Sequence, residues 1–264
     1  MKKSQIIITV LLFLLGSLCF IFFEVWPISI IKDDLANAYL CGFISRVSIS
    51  FLFVWLMYIF GAKKYFVFDK RFLTTVVWSL PCFMVAFVNF PYSAIATGKV
   101  TITRSDILGL YILYVFGIAL LEELIFRGIL LYLAEDLLKD KKHKPLLIVV
   151  VCSLIFSLFH LTNLSFGADV GATLLQCIYT FLIGAMLTVT MLKIGNVWLC
   201  VLIHGVFNFG GMLTISPLKN RLLSIASGNP WDTLFWILTI VSGVLAAGHV
   251  IYSLIKLEKA YVSE

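Results

Sequence analysis

The chain has 264 residues, 61% hydrophobic and 13% charged, with a mean hydropathy of +1.06 and a net charge of +6. Soluble globular domains are about 45–50% apolar and about 25% charged, so these values exclude a soluble enzyme, a disordered chain and a nucleic-acid-binding domain. They describe a polytopic membrane protein, in which surplus positive charge reports orientation rather than an acidic partner.

A membrane-crossing helix needs about 20 mostly apolar residues. By that measure the sequence predicts an all-α, polytopic membrane helical bundle of about eight transmembrane helices, near 5–26, 38–61, 73–92, 107–133, 146–163, 170–192, 197–216 and 231–255. Residues 1–264 read as a single transmembrane domain. The first apolar run, Ile6 to Phe23, exceeds the core of about 7–15 residues typical of a signal peptide and is expected to be retained as a helix. Pro81 is expected to kink the third helix, and Gly243 with Ala247 to let the last one approach a neighbour closely. Trp26, Trp198 and Trp231 fall at predicted helix ends, as interfacial anchors do, whereas Trp55, Trp78 and Trp236 read as packing residues. The six cysteines all lie in apolar stretches without a CxxC pair and read as small buried hydrophobes.

With the N-terminus inside, thirteen of the twenty Lys and Arg residues fall in cytoplasmic segments and five in outer loops, Arg46 and Arg127 lying within helices. The positive-inside rule then predicts both termini in the cytoplasm.

Ionisable groups at membrane depth are costly and mark function. Predicted helix four carries Glu122, Glu123 and Arg127 in LEELIFR; helix five ends in FSLFH, from Phe156 to His160; helix seven carries HGVFN, from His204 to Asn208. Glu123 and Arg127 stand at i, i+4 with the acid first, so Arg127 is expected to neutralise Glu123, either as part of a site or as a packing ion pair. Glu122 is offset by about 100°, lacks that intrahelical partner and is the better candidate base. His204 and Asn208 share a face, and Phe156 is placed to wall the site against water. At about 1.5 Å per residue, Glu122, His160 and His204 lie about 20, 22 and 12 Å from the cytoplasmic edge, a spread that tilt can absorb. His143 reads as solvated, His249 as structural, and Arg46 as snorkelling or paired.

A carboxylate beside imidazoles in a desolvated pocket is equipment for activating water, and a second His with an Asn amide can donate to a developing oxyanion. Ser157 and Cys152 share the helix of His160, but nothing marks either as an activated nucleophile. The rival reading is a divalent metal such as zinc held by Glu122, His160 and His204, although no HExxH is present.

These three segments resemble the motifs EExxxR, FxxxH and HxxxN or HxxxD of the CPBP family (CAAX proteases and bacteriocin-processing enzymes, also called Abi). All three are complete and in order, and the resemblance covers about 107–216. It implies an intramembrane endopeptidase in which Glu122 and His160 activate water, His204 and Asn208 form the oxyanion hole, and Glu123 and Arg127 support them. That mechanism requires no cofactor; the alternative is the divalent metal. The expected substrate is a small hydrophobic or membrane-associated peptide or protein entering from the bilayer, in peptide maturation or bacteriocin self-immunity. Short loops and abundant lysine suit a bacterial plasma membrane. Two functions of other classes compete. A non-catalytic membrane immunity or scaffold protein, or a regulator of a sensor kinase, has no need of both histidines and the asparagine. A proton-coupled transporter would show inverted repeats or paired broken helices, which the sequence lacks.

Overall fold

Local chemistry sets the helix ends. In a computed structural model, which describes residues 3–20, 22–23, 28–67, 76–213, 223–225 and 233–263, Asp33 caps α2 (Asp34–Phe60) by accepting the Ala36 N–H at 2.8 Å. Gly61 closes α2 in the left-handed conformation, at φ 87°. Asp169 and Asn196 cap α6 (Val170–Ile194) and α7 (Val197–Gly211) in the same way as Asp33. Asn196 also donates to the Val67 carbonyl at 3.0 Å, tying the end of the α2 connection to the start of α7.

α1 (Lys3–Phe20) lies against α2, and α2 against the long helix α4 (Ser105–Leu137). α5 (Lys144–Phe159) runs beside α6, and α7 packs between α4 and the short helix α3 (Leu80–Val88). α8 (Thr233–Ser263) covers α3 and α6. Outside the helices, β1 (Val100–Ile102) pairs antiparallel with β2 (Leu223–Ile225), Val100 opposite Ile225.

Five described helices are long and apolar enough to cross a membrane: Asp34–Phe60, Ser105–Leu137, Lys144–Phe166, Val170–Ile194 and Thr233–Tyr261. The protein is thus an all-α, multi-pass bundle. Helix α7 is apolar but has only 15 residues. The expected third span is interrupted twice, at Ser79 just before Pro81 and again after Val88. Pro81 sits in the first turn of α3, where its missing N–H costs nothing, and the helix gives way after Val88 to a bend at Asn89–Phe90 and a short helix, Tyr92–Ala96. Packing explains the bend. A Cβ on Gly210 of α7 would stand 2.7 Å from the Phe90 backbone, and Asn89 Nδ2 donates to the Phe207 carbonyl at 2.9 Å.

Two smaller expectations change. Gly243 faces open space, and α8 docks through Ala246 and Val250, both buried. Trp236 is about half exposed, not packed inside. Trp78 does pack, its ring 4.6 Å from that of His249, and Trp198 stands partly exposed in the first turn of α7. Arg46 donates to the Gly42 carbonyl and lies 5.1 Å from the Tyr114 ring centre. All six cysteines are free, five of them buried. Trp26 and Trp231, and Lys2, Lys70, Arg71, Lys219 and Arg221 of the charge count, lie outside the described residues.

Candidate active site

Midway along α4 the hydrogen-bond pattern widens into a π-helical stretch, Leu124–Leu130, immediately after the two glutamates. Such interruptions concentrate at functional sites because they re-aim side chains that a regular helix would stack. Arg127 nevertheless reaches back one turn, its Nη1 donating to Glu123 Oε1 at 2.8 Å, with both side chains 0% exposed. Its Nη2 donates to the Gly184 carbonyl of α6 at 3.2 Å.

From α7, the His204 ring enters between the two carboxylates. Its Nδ1 lies 2.7 Å from Glu123 Oε1, and since a carboxylate only accepts, Nδ1 carries the proton and donates. The opposite ring nitrogen, Nε2, stands 3.7 Å from Glu122 Oε2, within ion-pair range but beyond a direct hydrogen bond. The offset between adjacent residues on α4 is therefore spanned by one imidazole, an edge to each glutamate. The two acids differ in access: the Glu122 side chain is 20% exposed and the Glu123 side chain 0%.

Phe156 is the hub of the remaining contacts. The Arg127 guanidinium lies 4.4 Å from its ring centre, and the rings of His160 and His204 meet it edge-on at 5.0 and 5.9 Å. Phe126 packs on it at 4.9 Å. The same residue supplies the acceptor that orients His160, whose Nδ1 stands 2.9 Å from the Phe156 carbonyl. Against a carbonyl Nδ1 must donate, so the neutral ring presents a bare Nε2. His160 opens the 3-10 turn His160–Phe166 that follows α5.

Glu122, Glu123, Arg127 and His204 thus converge, with His160 joined to them through Phe156. The structure brings His204, not His160, to Glu122. Asn208 lies on α7 one turn beyond His204, half-buried, and its side chain hydrogen-bonds to none of the other five residues. Among the described residues no three His, Cys, Asp or Glu side chains form a metal-ligand set. His249 lies apart, against Trp78, and His143 is solvent-exposed beside Glu258.

Sequence reasoning passed over Gly184 and gave Phe156 too small a part. A Cβ at Gly184 would meet Ser153 and Phe156 at 3.1–3.3 Å, so a glycine there lets α5 and α6 close around Arg127 and frees a carbonyl to receive it. A lone glycine in an apolar run carries no signal of that.

Residues 104–210 match the family model described as Type II CAAX prenyl endopeptidase Rce1-like. No curated protein and no solved structure matches the chain. The matched stretch runs from just before α4 to the end of α7 and contains each of the three motifs and every residue of the converging cluster. Over that segment the chain is similar to the CAAX-type membrane proteases, in agreement with the CPBP resemblance that its three motifs carry.

Proposed function

We propose that the chain is an intramembrane endopeptidase that cleaves a small hydrophobic or membrane-associated peptide or protein with water activated at Glu122. The observation that carries this reading is the arrangement of two carboxylates around His204, one sealed and bound to Arg127, the other partly open. A sealed, neutralised acid holds an imidazole in place; an accessible one can exchange a proton with water.

In this mechanism the Glu122 carboxylate, assisted by the bare Nε2 of His160, takes a proton from water. The resulting hydroxide forms a bond to the carbonyl carbon of the scissile amide. The oxyanion so formed accepts hydrogen bonds from Asn208 Nδ2 and from His204 Nε2, the latter carrying a proton when the ring is an imidazolium. As the tetrahedral intermediate collapses, the C–N bond breaks and the proton held by Glu122 passes to the leaving amine. No step requires a metal. Both termini on the cytoplasmic side complete the reading, from the charge count.

The test compares small membrane-associated and secreted peptides by mass spectrometry in cells carrying wild type or Glu122→Gln, with protein levels checked by blot. A longer precursor is expected to accumulate in the variant, with turnover of that precursor by purified protein reduced about a thousandfold and wild-type turnover indifferent to chelators. An unchanged peptide profile at equal protein level removes Glu122 as the base and brings forward a non-catalytic role.

A further inference from the structure

Far from the glutamates, the ends of α6 and α8 and the segment before α3 enclose a cavity of about 160 Å³ lined by Trp78, Lys193, Tyr252, Ser253 and Lys256. That is room for a phosphate group or several waters. Lys193 is the penultimate residue of α6, and Lys256 lies in the last turns of α8. Among the described residues neither ammonium pairs with a carboxylate; Lys256 Nζ rests 5.2 Å from the Tyr252 ring centre. Ser253 is 2% exposed, and its Oγ has no hydrogen-bond partner among the described residues. A buried hydroxyl without a partner is rare in a folded protein and calls for an explanation.

The lining holds two cations, the hydroxyl-bearing side chains of Tyr252 and Ser253, and no carboxylate. Such a set recognises an anion with several acceptor oxygens. The flank says what kind. Ile251, Tyr252 and Ile255, 58%, 53% and 51% exposed, face outward on a helix apolar enough to cross a membrane, so the basic mouth opens beside acyl chains. Trp and Tyr at such a mouth suit the headgroup level of a bilayer. Basic pockets between transmembrane helices hold anionic headgroups elsewhere for the same reasons.

We propose that this cavity seats the phosphate of an anionic phospholipid, with Lys193 and Lys256 on its oxygens and the Ser253 hydroxyl donating to it. Free inorganic phosphate shares that chemistry but lacks the acyl chains that the exposed isoleucines would meet. None of the lining residues belongs to the Glu122 cluster, so the site stands or falls independently of the proteolytic reading.

The test uses the full chain in nanodiscs containing equal amounts of dioleoyl phosphatidylglycerol and dioleoyl phosphatidylcholine, with retained lipid identified by native mass spectrometry. Wild type is expected to retain phosphatidylglycerol selectively, and Lys193→Gln/Lys256→Gln to lower that preference about thirtyfold. Lys193→Arg/Lys256→Arg should preserve it, and Ser253→Ala should weaken it several-fold with the melting temperature unchanged. Equal retention of the two lipids by wild type, or an unchanged preference in the glutamine variant, overturns the proposal. Displacement of the lipid by millimolar inorganic phosphate also overturns it, by making the cavity a site for soluble phosphate.

Discussion

Helix α4 carries two charged clusters of almost identical dimensions. At its N-terminal end Arg104 Nη2 reaches Asp33 at 3.0 Å and Asp106 at 2.9 Å, with side chains 26%, 42% and 63% exposed. Midway along, Arg127 and His204 reach Glu123 at 2.8 and 2.7 Å, in a setting from which water is excluded. Bond length does not separate them; dielectric does. Exposed pairs contribute about 0–1 kcal/mol. A buried pair can be no better than neutral when intact, yet breaking it strands a charge and costs about 3–5 kcal/mol. On the proposed reading the inner cluster is a commitment that the fold keeps for its chemistry, and the outer one is a clasp.

The largest effect that would break this contrast comes from Arg127→Met, which leaves Glu123 buried without its cation. Unfolding in detergent should show a loss of about 3–5 kcal/mol, with part recovered in Arg127→Met/Glu123→Gln. No recovery in the double variant would mean that packing, not charge, holds this position. Next comes steric crowding beside the inner cluster. Gly205→Ala drives a methyl into the Phe116 ring, and about 1–3 kcal/mol of destabilisation is expected by the same measurement. Gly128→Ala meets the flexible end of Met57 and should cost less. Phe156→Leu keeps an apolar filler but removes the ring that carries Arg127, worth about 1–2 kcal/mol, and should lower kcat more than it raises KM. The smallest effect belongs to the clasp. The Ala36 N–H, and after it the Arg104 guanidinium, hold the Asp33 carboxyl below its ordinary value. A depressed carboxylate contributes stability above its unfolded pKa of about 3.9, and that contribution is lost as pH falls through the lower folded value. A Tm profile from pH 5 to 2 should therefore lose a small increment in wild type that Asp33→Asn lacks, and 1 M salt should erode the Arg104 share.

How much of this was legible in the residues depends on sequence separation. Glu123 and Arg127 are one turn apart, so their bond follows from helical spacing alone, as does the alignment of Phe156 with His160. The caps Asp33, Asp169 and Asn196 are local in the same sense. The bond from His204 to Glu123 joins residues 81 apart, and no periodicity reports which ring nitrogen meets which acid. The pairing of Glu122 with His160 was implied by the family resemblance and not by spacing, and folding places His204 Nε2 3.7 Å from Glu122. The break in α3 was hidden for a related cause. Pro81 is visible in the sequence, but the Gly210 backbone that presses on Phe90 arrives from a helix far along the chain. Hydropathy marks a run as apolar and says nothing of what will bend it.

Helix α7 has one more consequence. Its 15 residues extend about 22 Å, against a hydrocarbon layer of about 30 Å. A bilayer meeting so short a wall must thin or admit polar matter there, and α7 is the wall that bears His204 and Asn208. On the proteolytic reading proposed above, hydrolysis inside a membrane needs a supply of its co-substrate at depth, and the deficit in length would bring the aqueous phase toward the reacting bond. Acyl-chain length then becomes a rate-setting variable for this protein: turnover should fall as the lipids around it grow longer.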